Sequence, residues 1–332
     1  MTLIYPNDHS IIDTHTDIQN GFIDLIHERG IAAALDWLTP QKGDNELSFP
    51  KSVRFTWAPE GVEPYVFELA ENNTFSPSYT VRTADTFLEV TNLKIGQKYY
   101  WRVNGGNYRT FETKDNKFRF IEIDGLLNVR DLGGINIKQG LLYRGSEINR
   151  EYKITEVGKK VFKEQLNIKT EINIRKGEMF EKSKSCMGEE VSYKYLPYRP
   201  YAEIFEDEHR KGICEIMEFL AQEENYPIYF HCLGGADRTG MIAFLLRALL
   251  GESNEDILID YELTSLSSYA YGLAEGVDAL GFRSRETDYF REFISLFNAY
   301  KGNSFSEKTE SFLLECNIKP STLERVRSIL KK

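Results

Sequence analysis

The chain has 332 residues, 41% hydrophobic and 28% charged, with a formal net charge of −10. That length suits two domains, and the balance is that of an ordinary globular protein with no membrane-spanning segment. The acidic excess argues against a nucleic-acid or anionic-membrane binder, which would need a basic surface.

Residues 1–45 read as an N-terminal extension, a strand plus helix, packing on the domain that follows. The opening MTLIYPNDHSII has no basic segment ahead of an apolar core, so no secretory signal is read and a cytoplasmic location is expected. From Asp17 to Leu38 the apolar residues Phe22, Ile23, Leu25, Ile26, Ala32 to Ala34, Trp37 and Leu38 predict one or two amphipathic helices broken at Gly30. Asp13, His15 and Asp17 alternate, but no second ligand cluster accompanies them. A solvated strand or helix cap is expected there, not a metal site.

Residues 46–115 change character. Val53 to Trp57, Tyr65 to Leu69, Tyr79 to Val81, Phe87 to Val90, Tyr99 to Val103 and Arg109 to Phe111 are short runs separated by turn residues. They predict a small antiparallel β-sandwich. The stretch from Leu93 to Val103 resembles the late strands of a fibronectin type III domain. In that resemblance Tyr99 is the corner tyrosine and Trp57 the core tryptophan. No chemistry is visible here; the expected role is packing or spacing, with docking of a protein partner left open.

The polar Lys114 to Lys117 marks the boundary with a third segment, 116–332. A strand at Phe118 to Ile121 leads to Asn128-Val129-Arg130-Asp131-Leu132-Gly133-Gly134, and Tyr143-Arg144-Gly145-Ser146 follows. Arg130 and Asp131 are expected to pair and pin the glycine turn against a sheet. Thr155 to Leu166 predicts a helix with Val157, Val161, Phe162 and Leu166 on one side, ended at Asn167. Strands at Thr170 to Ile174 and Ser192 to Leu196 come next, then an acidic, aromatic loop from Tyr198 to Arg210, then a helical stripe from Ile213 to Leu220. Arg175 is expected to pair with Glu178 or another carboxylate. Strands alternating with helices predict an α/β fold, a central mixed sheet flanked by helices.

Pro227 to Leu250 carries the chemistry. Ile228 to Phe230 read as a buried strand and Met241 to Leu250 as a helix buried in the core. Between them lies His231-Cys232-Leu233-Gly234-Gly235-Ala236-Asp237-Arg238-Thr239-Gly240. A strand that turns through glycines into a helix N-terminus gathers backbone N–H groups around an anion. Cys232 at the base of that turn, near the positive helix end and Arg238, is expected to be a thiolate. Arg238 grips two oxygens of a phosphate, while Gly234, Gly235 and Gly240 allow close backbone approach. The expected reaction is phosphoryl transfer to sulfur, then hydrolysis of the thiophosphate.

The loop resembles the Cys-x5-Arg-Thr-Gly signature of the cysteine-dependent protein tyrosine phosphatase superfamily, including His231 before the cysteine. The resemblance implies that Thr239 eases departure of the thiolate in the second step. Together with the N-x-R-D-x-G-G string and the Tyr-Arg-x-Ser, it resembles a branch of bacterial tyrosine and lipid phosphatases with an HCxxGxDRTG loop. Phosphate binding then falls to Leu233, Gly234, Gly235, Ala236 and Arg238, and support to His231, Gly240, Arg130 and Asp131. That branch usually carries Lys at the position of Ala236 and Asp at the position of Asn173.

No Trp-Pro-Asp loop occurs, so Asp237 is the expected general acid and base, with Asp207 or a neighbouring Glu as runner-up. The missing Lys at 236 favours phosphotyrosine or another single phosphomonoester, carried on a protein or small molecule. A phosphoinositide or inositol-phosphate phosphatase of the same mechanism is the alternative, and a non-enzymatic phosphopeptide-binding scaffold the third reading. Tyrosines around residues 193 to 201 are candidates to line a slot for an aromatic ring.

Beyond the loop, Glu255 to Thr264, Asp288 to Tyr300, Glu307 to Glu315 and Ser321 to Leu330 predict helices. Ser265 to Glu286, with Arg283 and Arg285, reads as a lid over the pocket or as a plain surface loop. The four cysteines, Cys186, Cys214, Cys232 and Cys316, lack CxxC spacing, so no zinc site or disulfide framework is read and no metal or cofactor is expected.

Overall fold

The computed structural model describes residues 1–41, 46–272 and 287–332. Most of the stretch read as lid or loop, Arg283 and Arg285 included, lies outside the described residues.

Eight strands come first: β1 (Leu3–Tyr5), β2 (Ser10–Ile12), β3 (Val53–Trp57), β4 (Tyr65–Ala70), β5 (Tyr79–Thr83), β6 (Phe87–Val90), β7 (Lys98–Val103) and β8 (Arg109–Thr113). They form two sheets, ordered β1-β3-β6 and β2-β8-β7-β4-β5. All pairs are antiparallel except β2 with β8. Side chains alternate across a strand, so every second residue of β3, β4 and β7 turns inward. Phe55 of the first sheet meets Phe67, Trp101 and Phe111 of the second edge-on, closing a sandwich core. Trp57 is buried in it, and the Tyr99 hydroxyl accepts from Lys94 N at 2.8 Å, fastening the turn before β7.

Residues 1–41 serve both halves of the molecule. Strands β1 and β2 join the two sandwich sheets. Helices α1 (Asp17–Arg29) and α2 (Ile31–Leu38) are separated at Gly30, which sits at φ +82, and Thr16 with Gln19 forms a reciprocal cap on α1. These helices do not bury their apolar stripe on the sandwich core, where the sequence reading placed it. Phe22, Ile26, Ala34 and Leu38 instead cluster with Phe118, Phe120, Ile259, Leu263 and Leu266 of the third segment. That apolar face needs a cover, and the stripe supplies it.

The third segment is built on a six-stranded sheet. Its strands are β9 (Phe118–Phe120), β10 (Arg130–Gly134), β11 (Leu142–Gly145), β12 (Thr170–Asn173), β13 (Ser192–Tyr195) and β14 (Ile228–His231). The order is β13-β12-β14-β11-β10-β9. The pairs from β13 through β11 are parallel, and β10 and β9 are antiparallel, so the sheet is mixed.

The helices are α3 (Glu156–Lys160), α4 (Glu178–Glu181), α5 (Asp207–Leu220), α6 (Asp237–Leu249), α7 (Asn254–Glu262), α8 (Ser268–Gly272), α9 (Asp288–Phe297), α10 (Phe305–Glu315) and α11 (Pro320–Leu330). Ile228 and Phe230 of β14 enter the larger core with α5, α6, α9, α10 and α11, while Tyr229 enters a smaller core with Phe162. After α3 the chain makes a π-helical turn at Val161–Gln165, capped before by Thr155. The wider turn rotates the register, so Val157 stays exposed while Phe162 and Leu166 are buried, a departure from the expected stripe.

Candidate active site

Strand β14 lies between two parallel neighbours and ends at His231, and α6 begins at Asp237. The five residues between make the turn. Its carbonyls are held from outside: Glu147 N donates to Leu233 O at 2.9 Å, Asn128 Nδ2 to Gly234 O at 3.0 Å, and Arg144 Nη2 to Gly235 O at 2.7 Å. With successive carbonyls fixed outward, the loop's amides are left for its concave side, at the positive end of α6. Gly235 sits at φ +67, and a Cβ there would lie 2.5 Å from the Gly145 carbonyl carbon. A Cβ on Gly234 would meet the Tyr269 ring at 2.2 Å. Both glycines are therefore required by sterics.

Cys232 lies at the end of β14, 2% exposed. Beneath it His231 is fully buried, its Nε2 3.0 Å from Glu171 Oε1 and its Nδ1 3.0 Å from Cys232 O. In α6, Thr239 is fully buried and its Oγ1 has no hydrogen-bond partner among the described residues. Arg238 donates from Nε to Tyr198 O at 3.2 Å and makes no ion pair among the described residues. Its guanidinium keeps donors for a ligand. Gly240 faces the Tyr261 ring, where a Cβ would be 3.1 Å from Cε2.

Buried arginines brace the loop. Arg144 Nη1 lies 2.8 Å from Asp260 Oδ2, and Arg130 Nε and Arg247 Nη2 lie 3.5 and 3.3 Å from Oδ1 of the same residue. Burial alone would raise the Asp260 carboxyl, but Arg247, Arg144 and Arg130 outweigh it and hold it below the usual carboxylate range. Arg130 also donates to Asn128 Oδ1 at 2.5 Å, and Asn128 is the residue that holds Gly234 O.

Arg130 and Asp131 do not pair with each other, contrary to expectation. They are adjacent in a strand and point to opposite faces. Asp131 turns to Arg119 at 2.6 Å and accepts from Gly133 N and Gly140 N, pinning the glycine turn against the sandwich side. Arg119 in turn donates to Asn92 O and Leu93 O.

Asp237 opens α6, and its Oδ1 accepts the Tyr201 hydroxyl at 2.5 Å. The Tyr201 and Tyr261 hydroxyls are 2.7 Å apart, so Tyr261 donates to Tyr201. Burial, then Tyr261 and Asp237, pushes the Tyr201 phenol well above its ordinary value, which keeps it a neutral donor. Tyr201 holds φ +60, a left-handed conformation costly for a bulky residue. Asp207, the runner-up acid, is exposed at the start of α5; neither it nor Asp237 is among the residues that line the cleft described next.

The cleft beside the loop has a volume of about 740 Å³, within the range of ligand sites. Arg238, Arg175, Arg150, Lys153 and Lys176 line it, with Phe180 as its aromatic wall. Arg175 is tied to Glu147, and its guanidinium lies 4.0 Å over the Phe180 ring. Its partner is thus Glu147, not Glu178. Ala236 is 4% exposed, so the position that carries Lys in the resembled branch is buried here, and the cleft's cations come from other segments.

The tyrosines around 193 to 201 do not form an aromatic slot. Tyr195 bonds Gly177, Tyr193 bonds Asn173 and Phe180 O, and Tyr198 donates to Arg238 O. Tyr193 and Tyr195 hold the 177–180 turn, and Tyr198 alone of these three bonds a residue at the head of α6.

Glu147, Asn128, Arg144, Asp260 and Tyr201 were not singled out as site residues from the sequence. Asn128 and Arg144 do sit within the strings that carry the resemblance, and Tyr201 falls among the tyrosines considered for an aromatic slot; Glu147 and Asp260 lie in none of these stretches. Elsewhere among the described residues, Glu203, Glu206 and His209 bring ligand-type atoms within 4.8 Å of one another, at the start of α5. All four cysteines are free, and no helix among the described residues is long and apolar enough to cross a membrane.

A sequence profile described as "Tyrosine phosphatase family" matches residues 121–330. No curated protein sequence matches the chain significantly. Among solved structures, the core catalytic domain of the PP-IP phosphatase SIW14 from S. cerevisiae, in complex with citrate, is 16% identical. That match covers 49% of this chain and 93% of the other, with a TM-score of 0.30. OH1 from the Orf virus, a tyrosine phosphatase with triple substrate specificity, is 14% identical, with 55% and 86% coverage and a TM-score of 0.21.

Proposed function

This chain belongs to the tyrosine phosphatase family, and from that premise we propose that it hydrolyses phosphomonoesters through a cysteinyl-phosphate on Cys232. One observation carries the reading: the carbonyls of Leu233, Gly234 and Gly235 are held outward around the cysteine by Glu147, Asn128 and Arg144. A loop so held offers amides to a phosphoryl group and leaves sulfur beneath it for in-line attack.

In this reading the Cys232 sulfur attacks phosphorus, the ester oxygen leaves, and Asp237 protonates it. Water then attacks the thiophosphate, with Asp237 accepting its proton and Thr239 donating to the departing thiolate. Arg238 and the loop amides carry the charge of the transferred group throughout. His231 and Glu171 hold the base of the loop, and Gly240 admits the Tyr261 ring beside it.

Phosphotyrosine-type substrates remain the first choice. The cations of the cleft favour the second reading, a phosphoinositide or inositol phosphate. Arg150 and Lys153 supply positive charge beside Arg238 that Ala236 does not, alongside Lys176, which is paired with Glu208, and the acids Glu147 and Glu151 of the same lining, in a chain of net charge −10. The sandwich, with Tyr99 fastened to Lys94 and Trp57 in its core, supports a fibronectin type III-like unit over residues 46–115.

The test is an aryl phosphate assay in chelator, with and without Cys232→Ser. Turnover by the native chain and none by the variant is the expected result. Equal rates would sink the covalent route, and trapping of phosphopeptides without turnover would favour a scaffold.

A further inference from the structure

The residue that follows the undescribed 42–45 segment is tied to the loop through a short chain of contacts. Glu46 Oε2 accepts from Ser268 N at 2.8 Å, Ser268 Oγ at 2.6 Å and Ser267 Oγ at 3.2 Å. Leu47 N donates to Leu266 O at 3.1 Å. From α1, the fully buried Gln19 donates to Leu47 O and Phe49 O, at 2.9 and 2.7 Å, and so fixes the strip that carries Glu46.

What this strip grips is the support of Tyr269. Ser267 is fully buried, its Oγ accepts from Tyr269 N at 3.3 Å, and its carbonyl accepts from Ala270 N. Tyr269 is 4% exposed, and its ring occupies the space where a side chain on Gly234 would be. Gly234 is the middle residue of the carbonyl-fixed turn. On the other side of it Asn128 Nδ2 reaches Gly234 O at 3.0 Å and Thr264 Oγ1 at 3.4 Å. The 264–269 segment therefore abuts the loop directly at Tyr269 and reaches it again from Thr264 through Asn128, and Glu46 accepts from that segment's Ser267 and Ser268.

We infer that Glu46, from the segment joining α2 to the sandwich, is a positioning residue: it seats the Tyr269 ring against Gly234 and so holds the loop in its anion-binding shape. Glu46 touches neither the cysteine nor the cleft; its Oε1 accepts from the buried Ser48 Oγ, and it reaches the loop through Ser267, Ser268 and Tyr269. One carboxylate oxygen receives three donors, which are stronger for its charge. Without it, the buried Ser267 hydroxyl and the Ser268 amide lose their acceptor, and the helical start at Ser268 has no anion at its end. Misplacement of a catalytic loop by an ångström is enough to cost roughly a hundredfold in rate. The inference rests on the phosphatase reading of the loop.

The experiment uses the full chain and four proteins: native, Glu46→Ala, Glu46→Gln and Ser268→Ala. Turnover of an aryl phosphate, tungstate affinity by calorimetry and thermal melting are measured for each. Glu46→Ala is expected to lower kcat by about tenfold or more and to weaken tungstate to a similar degree while still folded. Glu46→Gln keeps a carbonyl acceptor for the serines and is expected to recover most of both losses; a merely structural change would not be rescued in rate. If Glu46→Ala keeps kcat and tungstate affinity within about twofold of native, the inference is overturned. It is also overturned if folded Glu46→Gln loses as much as Glu46→Ala. Should Glu46→Ala not fold, Ser268→Ala takes its place: a severalfold loss is expected and an unchanged rate overturns the proposal. A native chain that binds tungstate but turns nothing over fails the phosphatase reading instead, and the tungstate comparison among variants still decides this one.

Discussion

The Tyr201 hydroxyl donates to Asp237 Oδ1 at 2.5 Å, across the start of the helix that carries Arg238. This contact commits Oδ1 of the carboxylate to a neutral phenol and fixes how the group is held at the head of α6. If Asp237 is the proton donor, Asp237→Asn will slow turnover of a poor leaving group by roughly a hundredfold or more and barely alter an activated one. Asp207→Asn will leave both rates as they are. Steady-state rates on a pair of aryl and alkyl phosphates check this, and loss in the Asp207 variant alone would move the role elsewhere.

The buried Thr239 hydroxyl has no partner among the described residues, although an unpartnered buried hydroxyl is costly. In the proposed route its partner is the departing sulfur. Thr239→Ala will therefore slow the second step by about tenfold to a hundredfold, the value of a hydrogen bond to a charged atom. Rapid-quench kinetics will reveal a burst of alcohol and a longer-lived phosphoenzyme. A uniform loss with no burst would remove Thr239 from that step.

Asp260 sits between Arg130, Arg144 and Arg247, and its carboxyl is held below the ordinary value of 3.8. A depressed carboxylate contributes stability that is fully present above that ordinary value and is lost as pH falls through the lower folded one. Melting measured from neutrality downward will show this contribution constant until roughly pH 4 and falling below it. Asp260→Asn leaves three buried guanidiniums short of counter-charge, at a cost of about 3–5 kcal/mol, and abolishes that acid-side component. An unchanged melting profile in the variant would show that the cluster is not the source.

Gly235→Ala places a methyl group against the Gly145 carbonyl from a left-handed backbone. Its strand and helix are anchored by their own core, so the expected outcome is a folded protein with little turnover. Circular dichroism with the aryl phosphate assay checks both halves.

Lys153→Ala with Lys176→Ala removes cleft charge without touching the loop. If the second phosphate of a substrate is read there, KM for an inositol polyphosphate will rise severalfold, on the order of 1 kcal/mol in all, with the aryl phosphate unchanged. Equal effects on both substrates would favour a single phosphomonoester.

The loop was legible because strand, glycines and helix follow one another within Ile228 to Leu250, so spacing alone carries the geometry. The sandwich strands were legible through their period of two. The braces were not. Asn128 meets Gly234, and Arg144 meets Gly235 and Asp260, only after β11 pairs with β14 and α7 packs behind them, and nothing in their spacing reveals partners 91 to 116 residues away. Arg130 and Asp131 were misjudged as a pair because neighbours in sequence are read as neighbours in space, and the pleat of β10 sends them to opposite faces. The destination of α1 and α2 was missed for a related reason: amphipathic periodicity tells which face is buried, not what buries it.

The α1–α2 pair has a practical corollary. A shortened protein cut at the polar Lys114 to Lys117 junction would keep the whole loop and still strip Phe118, Phe120, Ile259, Leu263 and Leu266 of their cover. Such a fragment would emerge with a sticky side and a tendency to clump, so anyone trimming this enzyme for crystallisation would do better to retain its leading fifty residues.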